Sequence, residues 1–389
     1  MNDRTFRPAP WMRSPGRILL AALVIAASVA ATRTQTGPDI ASYLGERAQS
    51  PVEYVLSRAA SHRVTIIGEA HWLKQDPDLV AALVPHLQKA AIDLASELFP
   101  ASEQSQIDAV ISAPEWNERE ATAVLRAADW PYREYRDILR AAWSANRKAE
   151  RRISVVALGP PRDWRESLLP RGLTYDSFMA DLIAKHIDGT RRPIVVYCGM
   201  HHAFTRYYQA ELDLAGRAMG YMDRMGNILS RRFGDKVFLI ALHKPIWCGD
   251  PEKPTYCLPF GGRLDCAAAK AGRPIGFDVV DSPLAALAFE PGDYYGFGHP
   301  GLRFVDYTDG YVWTGPLESF RLATIIPLAE YAPDPAALAQ VAHSNPFTDD
   351  TDVSPSKLAE IWARQIADNA DVLAKRGWKH LAAWRSYCK

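Results

Sequence analysis

The feature that most restricts the fold of this chain is a series of short apolar runs spaced by longer amphipathic stretches. They read VTII near residue 64, AIDLASEL at 91–98, ISVVALG at 153–159, PIVVYCG at 193–199 and KVFLIALH at 236–243. Most are continuous rather than alternating in polarity, as strands buried on both faces are. The intervening segments carry helical stripes such as Leu79, Leu83 and Leu87, with Asp76 placed to cap that helix and Pro77 in its first turn. Strands alternating with helices of this length predict an α/β fold: a mostly parallel central sheet flanked by helices.

Other segments fill out this plan. A leading helix is predicted around 47–60, two helical patterns between 102 and 148, and another in TYDSFMADLIAKHI. A further helix is expected after His202, a shorter one near 218–233, and a closing helix over 354–376. PIGFDVV at 274–280 reads as a last strand, and YTDGYVW as a hairpin or edge excursion within a loop-like aromatic stretch from 291 to 315. There is no internal repeat. The division is therefore residues 1–31 as an export signal or membrane anchor, 32–60 as linker and leading helix, and 61–389 as a single elaborated α/β domain. That domain carries a cysteine-containing C-terminal elaboration.

The first thirty residues set the address. Arg4, Arg7, Arg13 and Arg17 precede ILLAALVIAASVAA, residues 18–31, which is uncharged. As a helix it would reach about 21 Å, short of the roughly 30 Å hydrocarbon core. With Ser28 and Ala30 near its end, it reads as a cleavable signal, with an uncleaved anchor as the alternative. The expected location is periplasmic or otherwise extracytoplasmic, with possible membrane association through the N-terminus. Cys248, Cys257 and Cys266 fall at nine-residue spacing and Cys388 is almost terminal, so one or two disulfides are expected after export, with pairing open. Cys198, inside an apolar strand, reads as a buried thiol. The balance of 45 basic and 45 acidic residues gives no reason to expect nucleic acid as a partner.

The chemistry gathers where strands end. In open parallel sheets the carboxyl ends of the strands form the usual crevice. The first strand delivers Glu69 and His71, the second Glu97, the fourth His201 and His202, and the fifth His243. Such groups are costly to bury unpaired. A mixed histidine and carboxylate set suits zinc, manganese or iron, and the expected metal ligands are His71, Glu97 and His202. Glu69 is the candidate general base, with His201 or His243 as proton donor to the leaving group. Each has a plainer reading: Glu69 and His71 as strand-end hydrogen-bonding groups, Glu97 as an ion-pair partner of a helix arginine, His201 as part of an ordinary helix start, and His243 as a cap. Gly68 and Gly199 read as backbone devices that permit tight turns. The GxSxG, HExxH, GxxxxGK[ST] and GxGxxG signatures are all absent.

GEAH at 68–71 and GMHH at 199–202 resemble the paired G-x-x-H signatures of the Tiki/TraB-like superfamily, a group similar to the erythromycin-esterase and ChaN-like haem-uptake families. The resemblance spans roughly residues 60–245. It implies an α/β core with its site at the sheet ends, with Gly68 and His71 in the first motif and Gly199 and His202 in the second. Glu69 resembles the acidic residue beside the first histidine in the esterase-like and ChaN-like branches, and Glu97 the acidic residue after their second strand. Tiki-like relatives are metal-dependent proteases, esterase-like ones open macrolide lactones, and ChaN-like ones are associated with haem or iron uptake. This chain departs from each. Its first motif lacks the extra residue of GExTH, and it has no asparagine-rich histidine motif.

Three functions stay open on the sequence. The leading one is an exported metal-dependent hydrolase of an ester, lactone or amide in a small-molecule or peptide substrate, with a metal-free variant in which Glu69 and His71 activate water directly. The second is a haem- or metal-binding uptake protein of the ChaN-like type, and the third a noncatalytic envelope protein.

Overall fold

The structure, a computed structural model, describes residues 40–388 apart from 162, 213–216, 250–254, 291, 349, 351 and 370. The export segment at 1–31 lies outside the described residues. From Ile40 onward the chain forms one compact unit.

Eleven strands occur among the described residues. They are β1 (Val64–Glu69), β2 (Asp93–Pro100), β3 (Val155–Gly159), β4 (Ile194–Gly199), β5 (Gln209–Leu212), β6 (Ala218–Met222), β7 (Val237–Leu242), β8 (Ile246–Cys248), β9 (Thr255–Cys257), β10 (Ile275–Asp278) and β11 (Gly310–Trp313). Seven build the main sheet in the order β10-β11-β7-β1-β4-β2-β3, while β5 with β6 and β8 with β9 form two separate hairpins. Every pairing in the main sheet is parallel except that of β10 with β11.

The continuous apolar runs follow from this order. β1 lies at the centre between β4 and β7, and all six of its residues are buried. Val64 and Ile66 pack on one side with helices Tyr175–Thr190 and Met225–Phe233, through Met179, Ile183 and Leu229. Ile67 packs on the other with helices Gln75–Ala90 and Arg133–Asn146, through Leu83, Leu87 and Ile138. Successive side chains alternate faces, and both faces are dry.

Several local expectations are corrected. The leading helix is two helices, Ile40–Arg47 and Pro51–Ser61, and the region from 102 to 148 holds three main helices rather than two. After His202 the helix stops at Ala203, and the β5–β6 hairpin occupies the space where more helix was predicted. Asp76 does not cap its helix; its carboxylate turns back to accept the Ala70 N–H at 3.1 Å. The closing helix is Pro355–Asp368 followed by a short turn of helix at 372–375.

The largest difference is YTDGYVW. Its second half is β11, a strand inside the sheet rather than an excursion from it. The polar residues that disguised it are satisfied by the neighbouring main chain. Asp309 accepts the Leu239 N–H at 2.8 Å, and the Thr308 hydroxyl donates to the Leu239 and Gly310 carbonyls. A turn-like composition here is compatible with complete burial because every such group has a partner.

Two disulfides pin the C-terminal elaboration, Cys248–Cys257 and Cys266–Cys388, and Cys198 is a buried thiol. The second closes a loop of 122 residues and brings the chain end to the helix Arg263–Ala269. Near it, Trp378 and Trp384 cluster with Leu317, Phe320 and Leu73, the last only four residues beyond β1. Loop-closure entropy gives about 4.9 kcal/mol for this bridge and about 2.6 kcal/mol for the shorter one. Replacing both Cys266 and Cys388 by Ser is therefore expected to lower the urea midpoint more than replacing Cys248 and Cys257. Equal shifts would show that the long loop is already held by its packing.

Candidate active site

β1 and β4 are parallel neighbours, with Gly68 opposite Cys198 and Glu69 opposite Gly199. Each G-x-x-H glycine makes room for the other motif. A Cβ on Gly68 would collide with Met200 Sδ and stand 3.2 Å from Ala203 Cβ and 3.3 Å from Met200 Cα. A Cβ on Gly199 would stand 2.7 Å from His71 Nε2. These glycines are thus required by close approach between two strand ends, not by a tight turn as the sequence suggested.

That approach creates two matched histidine–carboxylate pairs on either side of Glu97. His71 donates from Nδ1 to Glu69 at 2.7 Å, and the other Glu69 oxygen accepts the Tyr197 hydroxyl. His202 donates from Nδ1 to Asp176 at 2.7 Å, and Asp176 also accepts the Met225 N–H at 2.9 Å with Arg224 alongside. With Nδ1 committed, Nε2 is the working atom of each ring. Both Nε2 atoms face one Glu97 oxygen, at 3.9 Å from His71 and 3.5 Å from His202. The other Glu97 oxygen accepts the Gly199 N–H at 2.7 Å. Trp130 lies 5.1 Å from the His71 ring, and Tyr175 stacks on His202 at 5.0 Å.

The charges follow from these contacts. Burial works against an imidazolium at His71, but the Glu69 hydrogen bond and the Glu69 and Glu97 charges outweigh it and raise its pKa. At His202 burial is likewise overcome, by Glu97 and then Asp176. Asp176 is driven up by burial yet ends below the usual carboxylate range, because His202 and the Met225 N–H favour its ionised form. Desolvation and then the Lys244 charge pull His201 down to about 3, so it is neutral near pH 7.

The pairs open on a cavity of about 250 Å³ whose walls include Glu69, His71, His201, His202, Lys244 and Arg376. Glu97 is buried behind them. Of the residues singled out from sequence, Glu69, His71, Glu97 and His202 come together and His201 lines the same cavity. His243 does not line it. It is wholly buried, 2.8 Å from Asp265 and 2.9 Å from the Tyr311 hydroxyl, because the chain leaving β7 turns it into the aromatic packing beside Trp313 and Phe320. Lys244, the next residue, reaches the cavity instead. Sequence reasoning missed Asp176, Tyr197 and Arg376. Asp176 looked like an ordinary acidic residue in a helix's first turn, and Arg376 lies over three hundred residues from His71.

The three expected metal ligands have suitable donor atoms, but they do not form a coordination shell. Among the described residues no group of three or more His, Cys, Asp or Glu could hold an ion. Nearby carboxylates raise both histidines despite their burial, so each ring holds its proton more tightly than a free imidazole. The cavity, at about 250 Å³, is smaller than the roughly 300–1,000 Å³ of sites for drug-sized ligands.

Residues 55–175 match a family described as haem-binding uptake, Tiki superfamily, ChaN. That match takes in the GEAH motif and agrees with the resemblance read from the sequence. Among solved structures, ChaN of Campylobacter jejuni with cofacial haem is 13% identical, covering 49% of this chain and 86% of its own, with a TM-score of 0.34. The erythromycin esterase EreC, a mutant in its open conformation, is 11% identical over 72% of this chain and 99% of its own, with a TM-score of 0.48. A Bacillus cereus protein is 11% identical over 72% and 98%, with a TM-score of 0.44. No curated protein matches. Similarities this distant carry no inference about the chemistry of the site.

Both histidines have raised values, so their pairing adds stability below the unfolded-state value of about 6.5, and that contribution fades as pH rises through the folded-state values. Asp176→Asn is expected to lower the His202 titration, followed by NMR of the ring protons, and to leave His71 nearly unchanged. A His202 midpoint that does not move would show the two groups to be uncoupled. Gly199→Ala is expected to cost about 1–3 kcal/mol in urea unfolding, since the added methyl meets the His71 ring.

Proposed function

We propose that this chain is an exported hydrolase of an ester, lactone or amide bond that works by histidine–carboxylate acid–base chemistry. The observation that carries the reading is the pairing of His71 with Glu69 and His202 with Asp176, both Nε2 atoms facing Glu97 beside one cavity. Glu69, which the sequence marked as general base, has one oxygen on His71 and the other on Tyr197, so it orients rather than meets water. His71 takes the basic role instead.

In its neutral form His71 accepts a proton at Nε2 as water attacks the carbonyl carbon. The imidazolium of His202 gives its Nε2 proton to the leaving oxygen or nitrogen as that bond breaks. The new carboxylic acid returns a proton to His202, and His71 releases the one it took to solvent. Buried Glu97 stabilises whichever ring is charged. His201, neutral near pH 7, is a poor acid for this step. An extracytoplasmic address is supported by the two disulfides, which form in oxidising compartments.

The test is turnover of chromogenic esters and lactones with and without a chelator. Wild-type activity is expected to survive chelation, and His71→Ala or Glu69→Gln to lose about 10²–10⁴-fold while still folding. Activity abolished by chelator and restored by zinc, manganese or iron would return the chemistry to a metal. The family match favours a second reading, haem uptake. Absence of turnover together with a Soret band on haem addition, lost in His202→Ala, would select it.

A further inference from the structure

The cavity that holds the histidines is also lined by two cations that have no carboxylate partner among the described residues. Lys244 lines the cavity, and no Asp or Glu of the described residues lies within ion-pair distance of it. Its charge is felt at both His71 and His201. Arg376, half-buried on the same cavity, lies flat over Trp72 at 4.5 Å and is hydrogen-bonded to Tyr256. Other arginines of this chain are ion-paired with carboxylates, such as Arg231 with Asp223 and Arg303 with Asp306. A guanidinium drawn out of water without a counter-ion is a costly arrangement unless a ligand supplies the charge.

Aromatic side chains line much of the same cavity. Tyr256 packs against Trp378 at 5.4 Å, and Trp247, exposed at the rim, meets Tyr294 at 5.5 Å. Flat apolar surfaces beside two unpaired cations match a ligand that is itself part apolar and part anionic. The cavity volume limits it to a small molecule.

We propose that Lys244 and Arg376 form the specificity side of the site, and that the substrate is a small ester, lactone or amide bearing a carboxylate and an apolar or aromatic flank. This rests on the hydrolase reading above. Arg376 contributes a planar pair of donors suited to a carboxylate, and Lys244 a point charge nearer His71. The site is completed only when the C-terminal tail is in place, because Arg376 and Trp378 belong to it and Cys388 is bridged to Cys266.

The experiment compares mono-4-nitrophenyl succinate with 4-nitrophenyl pentanoate, a neutral ester of similar length. The acidic ester is expected to have at least a tenfold higher kcat/KM. Lys244→Gln and Arg376→Gln should each reduce that preference about tenfold, chiefly through KM. Lys357→Gln, remote from the cavity, should leave it unchanged. Equal use of both esters, or a preference untouched by both cavity variants, overturns the inference while the hydrolase reading stands. Should neither ester react, calorimetry with 4-phenylbutyrate and 4-phenylbutanamide decides it separately. Binding of the acid alone, weakened in both variants, supports the anionic subsite, and equal or absent binding of the two overturns it.

Discussion

The structure turns on how closely the ends of β1 and β4 approach each other. Gly68 admits Met200 and Gly199 admits the His71 ring, so each motif occupies volume that a side chain on the other would fill. The same Gly199 presents its N–H to Glu97, which fixes the carboxylate of a third strand between the two histidines. One steric requirement, met twice, therefore sets the spacing of the working groups. β1 ends one residue after Gly68 and β4 ends at Gly199, so each histidine follows within a turn of its strand end.

Electrostatics then decides what these groups can do. Glu69, Glu97 and Asp176 are nearly buried, and each accepts hydrogen bonds from its neighbours. In a medium that screens poorly, such pairs have large effects on proton affinity. Two histidines on the same cavity, His71 and His201, diverge for this reason. The first has carboxylates around it and is raised, while the second sees Lys244 and is lowered. His243 shows the other use of the same chemistry, since its pairing with Asp265 and Tyr311 secures the interior between β7 and the disulfide-bearing helix.

The C-terminal elaboration is more than a stapled surface loop. It supplies Tyr256, Arg376 and Trp378 to the cavity that residues delivered by the sheet also line. The sheet provides the reactive histidines on rigid strand ends, and the tail provides cations and flat apolar surface. This division places chemistry on the sheet ends common to such folds and ligand choice on a segment held by Cys266–Cys388.

Much of this was legible from residue order. Continuous apolar runs specify strands buried on both faces, so the parallel sheet and the strand-end positions of Glu69, His71, Glu97 and His202 follow from local pattern. Burial of Cys198 and the involvement of Cys388 in a disulfide follow in the same way. Other features depend on partners distant in the chain. β11 was hidden because Thr308 and Asp309 look like turn residues until the β7 main chain satisfies them. Asp176 looks like a helix-start residue until His202 meets it, and Arg376 has no local sign of a role at all. Period and composition record which face of an element is dry. Which polar group faces which, and so which histidine is raised, lowered or sealed away, is settled only when non-local packing brings their charges together.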